Sequence, residues 1–159
     1  VAHPPCARWG ANAQAGRLRV GEDGGCFAAA LESVRRWGGV LEHPAGSAAW
    51  RAHGLRHPSW HGGWTATDLV GGWTCRVDQG RYGHLAAKPT WLYAVGCNLP
   101  SLDWRHVVGS EYLIGPHRRQ YASHRARKSL PARLRARTPD AFRDLLINMA
   151  RTVPKEDYL

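Results

Sequence analysis

Hydrophobic positions along this chain change their period several times, and each change marks an element. Phe27, Leu31, Val34 and Trp37 fall at helical spacing, on one face of a helix that opens near Asp23 or Gly24 and closes at Gly38. Arg35 and Arg36 near its end suit the negative pole of the helix dipole. Val40–Glu42 then reads as a short buried strand, with a carboxylate at its end before His43-Pro44. Ala48–His53 has the length of one helical turn, and residues 55–72 are rich in loop formers. Trp73–Asp78 alternates as a strand does, Tyr82-Gly83-His84 reads as a turn, and Thr90–Val95, β-branched and aromatic, is the strongest strand signal present. A last helix is expected with Thr138 as N-cap, Pro139 at its first position, and Phe142, Leu145, Leu146 and Met149 on one face.

The amino-terminal stretch repeats the design seen at Glu42. Val1-Ala2-His3 reads as the end of a strand, broken by Pro4-Pro5, with Cys6 just beyond. Residues 7–25 show no clear periodicity and are expected to form a long mobile loop. Elements in this order predict an α/β fold, in which ligands bind outside the carboxyl ends of strands. One thiol and one carboxylate, each at a strand end, are therefore the leading site candidates. At 159 residues one domain with a real core is the expectation, read as an α/β core over 1–114 and a basic segment over 115–159 whose terminal helix packs back on it. No internal repeat is seen. The chain starts at Val1, already inside a strand, which points to a processed amino terminus or a piece of something longer.

Composition changes the picture in four ways. A net charge of +10 and a pI of about 10.2 point to an anionic partner, most simply nucleic acid. Arg118, Arg119, Arg125, Arg127, Lys128, Arg133, Arg135 and Arg137 concentrate that charge in one segment, where phosphate contact is expected. The eight tryptophans are mostly core, but Trp60 and Trp64 lie in a glycine-rich loop and are candidates for stacking on bases. The four cysteines lack a Cys-x-x-Cys pair, and no signal peptide or long apolar run is present, so a reduced, cytoplasmic protein away from membranes is expected. The nine histidines form no grid of zinc spacing; His53 and His57 are four apart, but Gly54 and Pro58 argue against a helix there.

Pro5-Cys6, then a loop, a helix, and a short strand ending in Glu42 make an order that resembles the DNA (cytosine-5) methyltransferases. In that family a Pro-Cys motif supplies the nucleophile and a Glu-Asn-Val motif the carboxylate. Here they are matched by Pro5-Cys6 and Glu42-His43-Pro44, with His43 in place of the Asn, a departure; Glu followed by Asn-Pro occurs in phage-type relatives. The family's Tyr-Gly-Val-Pro-Gln-x-Arg-x-Arg motif is matched by the stretch from Tyr82-Gly83 to Thr90, with Lys88 at the first Arg, and Ala86 and Thr90 replacing the Gln and the second Arg. The resemblance covers roughly Val1 to Gly96.

The resemblance implies a partial, Rossmann-like S-adenosylmethionine-dependent methyltransferase fold, followed by the basic segment and terminal helix. Cys6 would add to C6 of a flipped cytosine, and Glu42 would stabilise the adduct at N3. Pro5, Arg8, His43 and Lys88 would bind the substrate, while Arg17, Arg19, Arg125, Arg127 and Lys128 would contact nucleic acid. His3 and Arg8 flank Cys6 and supply the positive charge that favours a thiolate. The family's glycine-rich cofactor loop lies upstream of Pro-Cys, and no Gly-Gly pair here follows a strand and opens a helix. The cofactor site is therefore expected on an upstream segment or a second chain. The rival reading is a non-catalytic, basic DNA-binding remnant of the same fold. A third, a zinc-dependent nucleic-acid enzyme using His3, Cys6 and Cys75, lacks ligand spacing.

Either DNA reading predicts affinity that falls as salt rises. In anisotropy titrations with duplex DNA, neutralising Arg125, Arg127 and Lys128 together should lower the slope of log affinity against log salt by about 2–3. Absence of binding to duplex and single strands at low salt would remove both readings.

Overall fold

The computed structural model describes residues 1–108, 110–114 and 128–155. The fold is built on β4 (Pro89–Val95), whose five central residues are all buried, as an inner strand with both faces covered must be. It is flanked by β1 (Gly39–Pro44) and β3 (Trp73–Asp78), and the short β2 (Thr65–Ala66) completes a four-stranded sheet of order β1-β4-β3-β2. All three pairings are antiparallel. The expected mixture of α and β is thus present, but these four strands form an antiparallel sheet, whereas a doubly wound sheet is mostly parallel.

Cross-strand neighbours share a face, so the register sorts the core. Leu41-Tyr93-Thr74 and His43-Trp91-Arg76 lie on one face; Val40-Ala94-Trp73, Glu42-Leu92-Cys75 and Pro44-Thr90-Val77 lie on the other. The first face is covered by α2 (Cys26–Trp37), through Phe27, Leu31 and Val34, and by Trp50 of α3 (Ala48–Ala52). The second is covered by α5 (Asp140–Ala150), through Phe142, Leu146 and Met149. Trp37, expected on the apolar face of α2, is exposed. The helix stops beside it at Gly38, whose φ of 74° and tight approach to Val153, 2.7 Å from where a Cβ would stand, admit only glycine.

The amino-terminal segment pairs with β1 in parallel. Ala2 N–H donates to Val40 O at 2.8 Å, and Glu42 N–H donates to Ala2 O at 2.9 Å. An extended segment, α2 and β1 therefore form a β-α-β crossover. Because β1 and β3 are both antiparallel to β4, they run the same way as this segment. Three carboxyl ends consequently meet at one edge of the sheet.

The stretch 7–25, expected as a loop without structure, is tied down. It contains α1 (Ala11–Gln14), and Trp9 is buried in the first core with its Nε1 donating to Asp23 Oδ2 at 2.7 Å. Gln14 Nε2 donates to Trp9 O at 3.1 Å and to Gly46 O at 3.0 Å. One aromatic anchor fixes the loop, and a single anchor leaves no periodicity to read. The opposite rim is tied by Asp68, which accepts from Arg35, Tyr93, Val70 and Gly72. Burial alone would raise the Asp68 pKa, but these hydrogen bonds, with that from Tyr93 the strongest, lower it.

In the basic segment, Arg118, Arg119, Arg125 and Arg127 lie outside the described residues. Beyond them β6 (Lys128–Ser129) pairs in parallel with β5 (Tyr112–Leu113), and α4 (Ala132–Ala136) follows. The last helix starts at Asp140 with Pro139 as its cap residue, one position later than Thr138 would set it. No helix among the described residues is long and apolar enough to cross a membrane.

Packing on the second face sets a stability contrast. Phe142→Ala should cost about 3–5 kcal/mol in urea unfolding, because it empties a fully buried aromatic site. Exposed Trp37→Ala should change stability by about 0.5 kcal/mol or less.

Candidate active site

The edge where three strand ends meet carries most of the chemically capable residues. Pro4 and Pro5 lack N–H groups and stop the amino-terminal segment from extending its ladder, which turns Cys6 out as an exposed, free thiol. Glu42 is held on both carboxylate oxygens. Its Oε2 lies 2.9 Å from His3 Nδ1, and its Oε1 accepts from Gln79 Nε2 at 3.1 Å. Gln79 is fully buried at the start of a 3₁₀ turn (Gln79–Tyr82) that directly follows β3. The same Nε2 donates to Thr90 Oγ1 at 2.9 Å, and Thr90 Oγ1 donates in turn to Lys88 O at 3.1 Å.

Lys88 closes the cluster. Burial lowers its pKa, while Glu42 and Cys6 both act to raise it, so this ammonium sits in the field of the thiol and the carboxylate together. Its Nζ donates to Arg137 O at 3.0 Å, just past α4. The position of Lys88 is set by Asp78, whose Oδ1 accepts from Gly80 N–H at 2.9 Å and from Lys88 N–H at 2.8 Å, clamping the base of the connection between β3 and β4.

His43 takes the other face of β1. It is buried against Phe27, edge-on with ring centroids 5.2 Å apart, and near Trp50. The Pro5 backbone faces it and favours its protonated form, yet neither ring nitrogen makes a hydrogen bond of good geometry. Burial therefore dominates and depresses its pKa to about 4. Its place in this structure is beneath the Pro-Cys turn as packing support, on the face away from Glu42.

Among the remaining candidates, Arg8 is half-buried and its carbonyl accepts from Gly21 N–H. Arg17 is exposed, Arg19 pairs with Glu22 at 3.1 Å, and Lys128 pairs with Glu111 at 2.9 Å. Arg125 and Arg127 lie outside the described residues. Trp60 is 60% exposed, with the Arg76 guanidinium 4.2 Å from its ring centre, whereas Trp64 is fastened inward by its Nε1 bond to Pro100 O at 2.9 Å. For the zinc reading, Cys75 is buried in the second core, and burial pushes its thiol pKa well up. No group of three His, Cys, Asp or Glu among the described residues is placed to hold a metal ion.

Among the described residues, the start of α2 does not fit S-adenosylmethionine. The crossover helix between the first extended segment and β1, α2, has its leading amides taken: Asp23 accepts from Gly25 N–H at 3.0 Å and from Phe27 N–H at 2.9 Å. That carboxylate occupies the place a ligand of the helix end would need. No family model matches the chain, and neither does any curated protein or any solved structure.

Gln79, Thr90 and Asp78 are the site-forming residues that motif and spacing did not single out. One signal for them existed: Asp78-Gln79 ends a strand, the same position that drew attention to Cys6 and Glu42.

His43 gives this region an acid-sensitive support. Its folded pKa of about 4 lies below the ordinary 6.5, so the unfolded chain binds the extra proton first. The contribution of His43 to stability is full above pH 6.5 and should fall by about 3 kcal/mol as pH drops toward 4. His43→Leu, close in volume and unable to titrate, should remove that part of the slope in urea unfolding across this range. An unchanged slope would contradict the assignment.

Proposed function

We propose that this chain performs the nucleophilic half of cytosine C5 modification in DNA, as a DNA cytosine-5 methyltransferase-like protein on part of a Rossmann-like fold. The observation that carries the reading is the meeting of three strand ends, which brings Cys6, Glu42 and Lys88 to one edge. C5 of cytosine is not nucleophilic by itself. When the Cys6 thiolate bonds to C6, the electron pair of the C5=C6 bond is released toward C5, and Glu42 gives a proton to N3. Lys88 supports the thiolate electrostatically. C5 then takes a proton from water, loses its original hydrogen, and expels the thiolate to regenerate cytosine as N3 returns its proton to Glu42. The net result is exchange of the C5 hydrogen with solvent, which needs no other reactant. C6 is hidden in a duplex, so the base must be turned out, and the net charge of +10 supports the phosphate contacts that hold the strand. S-adenosylmethionine, as one-carbon donor, would be held by an upstream segment or a second chain.

The +10 charge, together with the occupied end of α2, also favours the second reading, a basic DNA-binding remnant without catalysis.

Genomic DNA carrying tritium at cytosine C5 presents every sequence context and distinguishes the two. Release of tritium to water is expected from the wild type and should fall about 100-fold or more in Cys6→Ser. Glu42→Gln should slow release about 10- to 100-fold with DNA affinity retained, since its role belongs to the reacting state. Firm binding without release selects the remnant, and release that survives in Cys6→Ser removes the nucleophile.

A further inference from the structure

We propose that His3 is the proton-transfer partner of Glu42 and that Gln79 reserves one carboxylate oxygen so that the proton resides on the other. This rests on Glu42 being the carboxyl that supports the reacting base. The hydrogen bonds leading to Glu42 have a direction. Thr90 Oγ1 spends its only proton on Lys88 O, at 3.1 Å, so toward Gln79 Nε2, at 2.9 Å, it acts as acceptor. A primary amide has two N–H bonds, and the second goes to Glu42 Oε1 at 3.1 Å. Turning that amide over would set its oxygen against a carboxylate oxygen. Oε1 therefore already faces a proton, and a proton added to Glu42 belongs on Oε2.

Oε2 is the oxygen 2.9 Å from His3 Nδ1. The His3 side chain is 42% exposed and that of Glu42 only 12%, so the imidazole bridges solvent and the recessed carboxyl. Gln79 adds an independent sign. Its own Oε1 is buried without a partner, a destabilising arrangement that leucine would avoid. Its amide is thus kept for the two protons it directs. Among the described residues, the other ionisable neighbours are differently engaged. The Nζ of Lys88 is bonded to the carbonyl of Arg137, Cys6 is committed to C6, and His43 faces the opposite side of the sheet.

The transfers balance. Imidazolium His3 gives its Nδ1 proton to Oε2, leaving a neutral ring protonated on Nε2 and a neutral carboxyl. Glu42 passes that proton to N3 of the base as the S–C6 bond forms. On elimination the proton returns from N3 to Oε2 and from there to Nδ1, so His3 ends as it began.

The test is tritium release from DNA labelled at cytosine C5, with a spectroscopic arm that needs no DNA. His3→Ala should slow release about 100-fold without loss of DNA affinity. Added imidazole should restore it, with substituted imidazoles graded by acidity, and thiazole, of the same shape but without a proton to transfer, should not. Gln79→Leu should slow release while leaving thermal stability equal or higher. In the free protein at pH 8.5, imidazole ¹⁵N shifts should show the neutral His3 ring protonated on Nδ1, reverting to Nε2 in Glu42→Leu. No release from the wild type overturns the proposed chemistry and this role with it. Release that depends on Cys6 but survives His3→Ala, or is lost without imidazole rescue, keeps the chemistry and overturns the relay. A wild-type ring protonated on Nε2 overturns it independently.

Discussion

The site hangs on two backbone hydrogen bonds, those by which Ala2 reaches Val40 and Glu42. They are the parallel pairing that sets the Pro-Cys turn beside the carboxylate, and the placement of His3 and Cys6 against Glu42 follows from them. A shift of one residue in this pairing would turn His3 to the face held by Leu41 and His43, away from Glu42, because strand side chains alternate. The bonds are protected from both directions. Pro4 and Pro5 end the segment at a fixed point, and buried His43 fills the space under the turn.

Away from the sheet, carboxylates do the work that strand ladders do within it. Asp23 fastens Trp9 and the start of α2, Asp68 fastens Arg35 and Tyr93 to the turn before β3, and Asp78 fastens both ends of the next connection. Each satisfies backbone N–H groups that irregular segments leave unpaired. Long connections therefore hold their shape, and Lys88 and Gln79 arrive at the site from an irregular stretch with fixed positions.

What was legible beforehand follows from what period and spacing encode. The helix carrying Phe27, Leu31 and Val34, the strands at Trp73–Asp78 and near Thr90–Val95, and the last amphipathic helix are all present, because local pattern determines them. Cys6 and Glu42 were visible as chemistry at strand ends. Strand direction was not, since antiparallel pairing of β1 with β4 depends on contacts 46 to 56 residues apart, which no window of sequence contains. Gln79 was missed for a related reason: an amide becomes informative only when its neighbours, Thr90 and Glu42, are known. Trp9 shows the same limit, as one buried indole turns an apparent open loop into a docked one.

The position of α5 has a consequence for how the protein comes into being. Val40, Cys75, Leu92 and Ala94 are covered by a helix that lies far downstream of the strands bearing them. On the ribosome the sheet's second face stays bare until that helix emerges, so the strands are synthesised long before their core exists. Glu42 and Thr90 lie on that same face. The site is thereby tied to the synthesis of α5: a chain that stops short of it holds the thiol and the carboxylate but not the packed layer that keeps the sheet carrying them in shape.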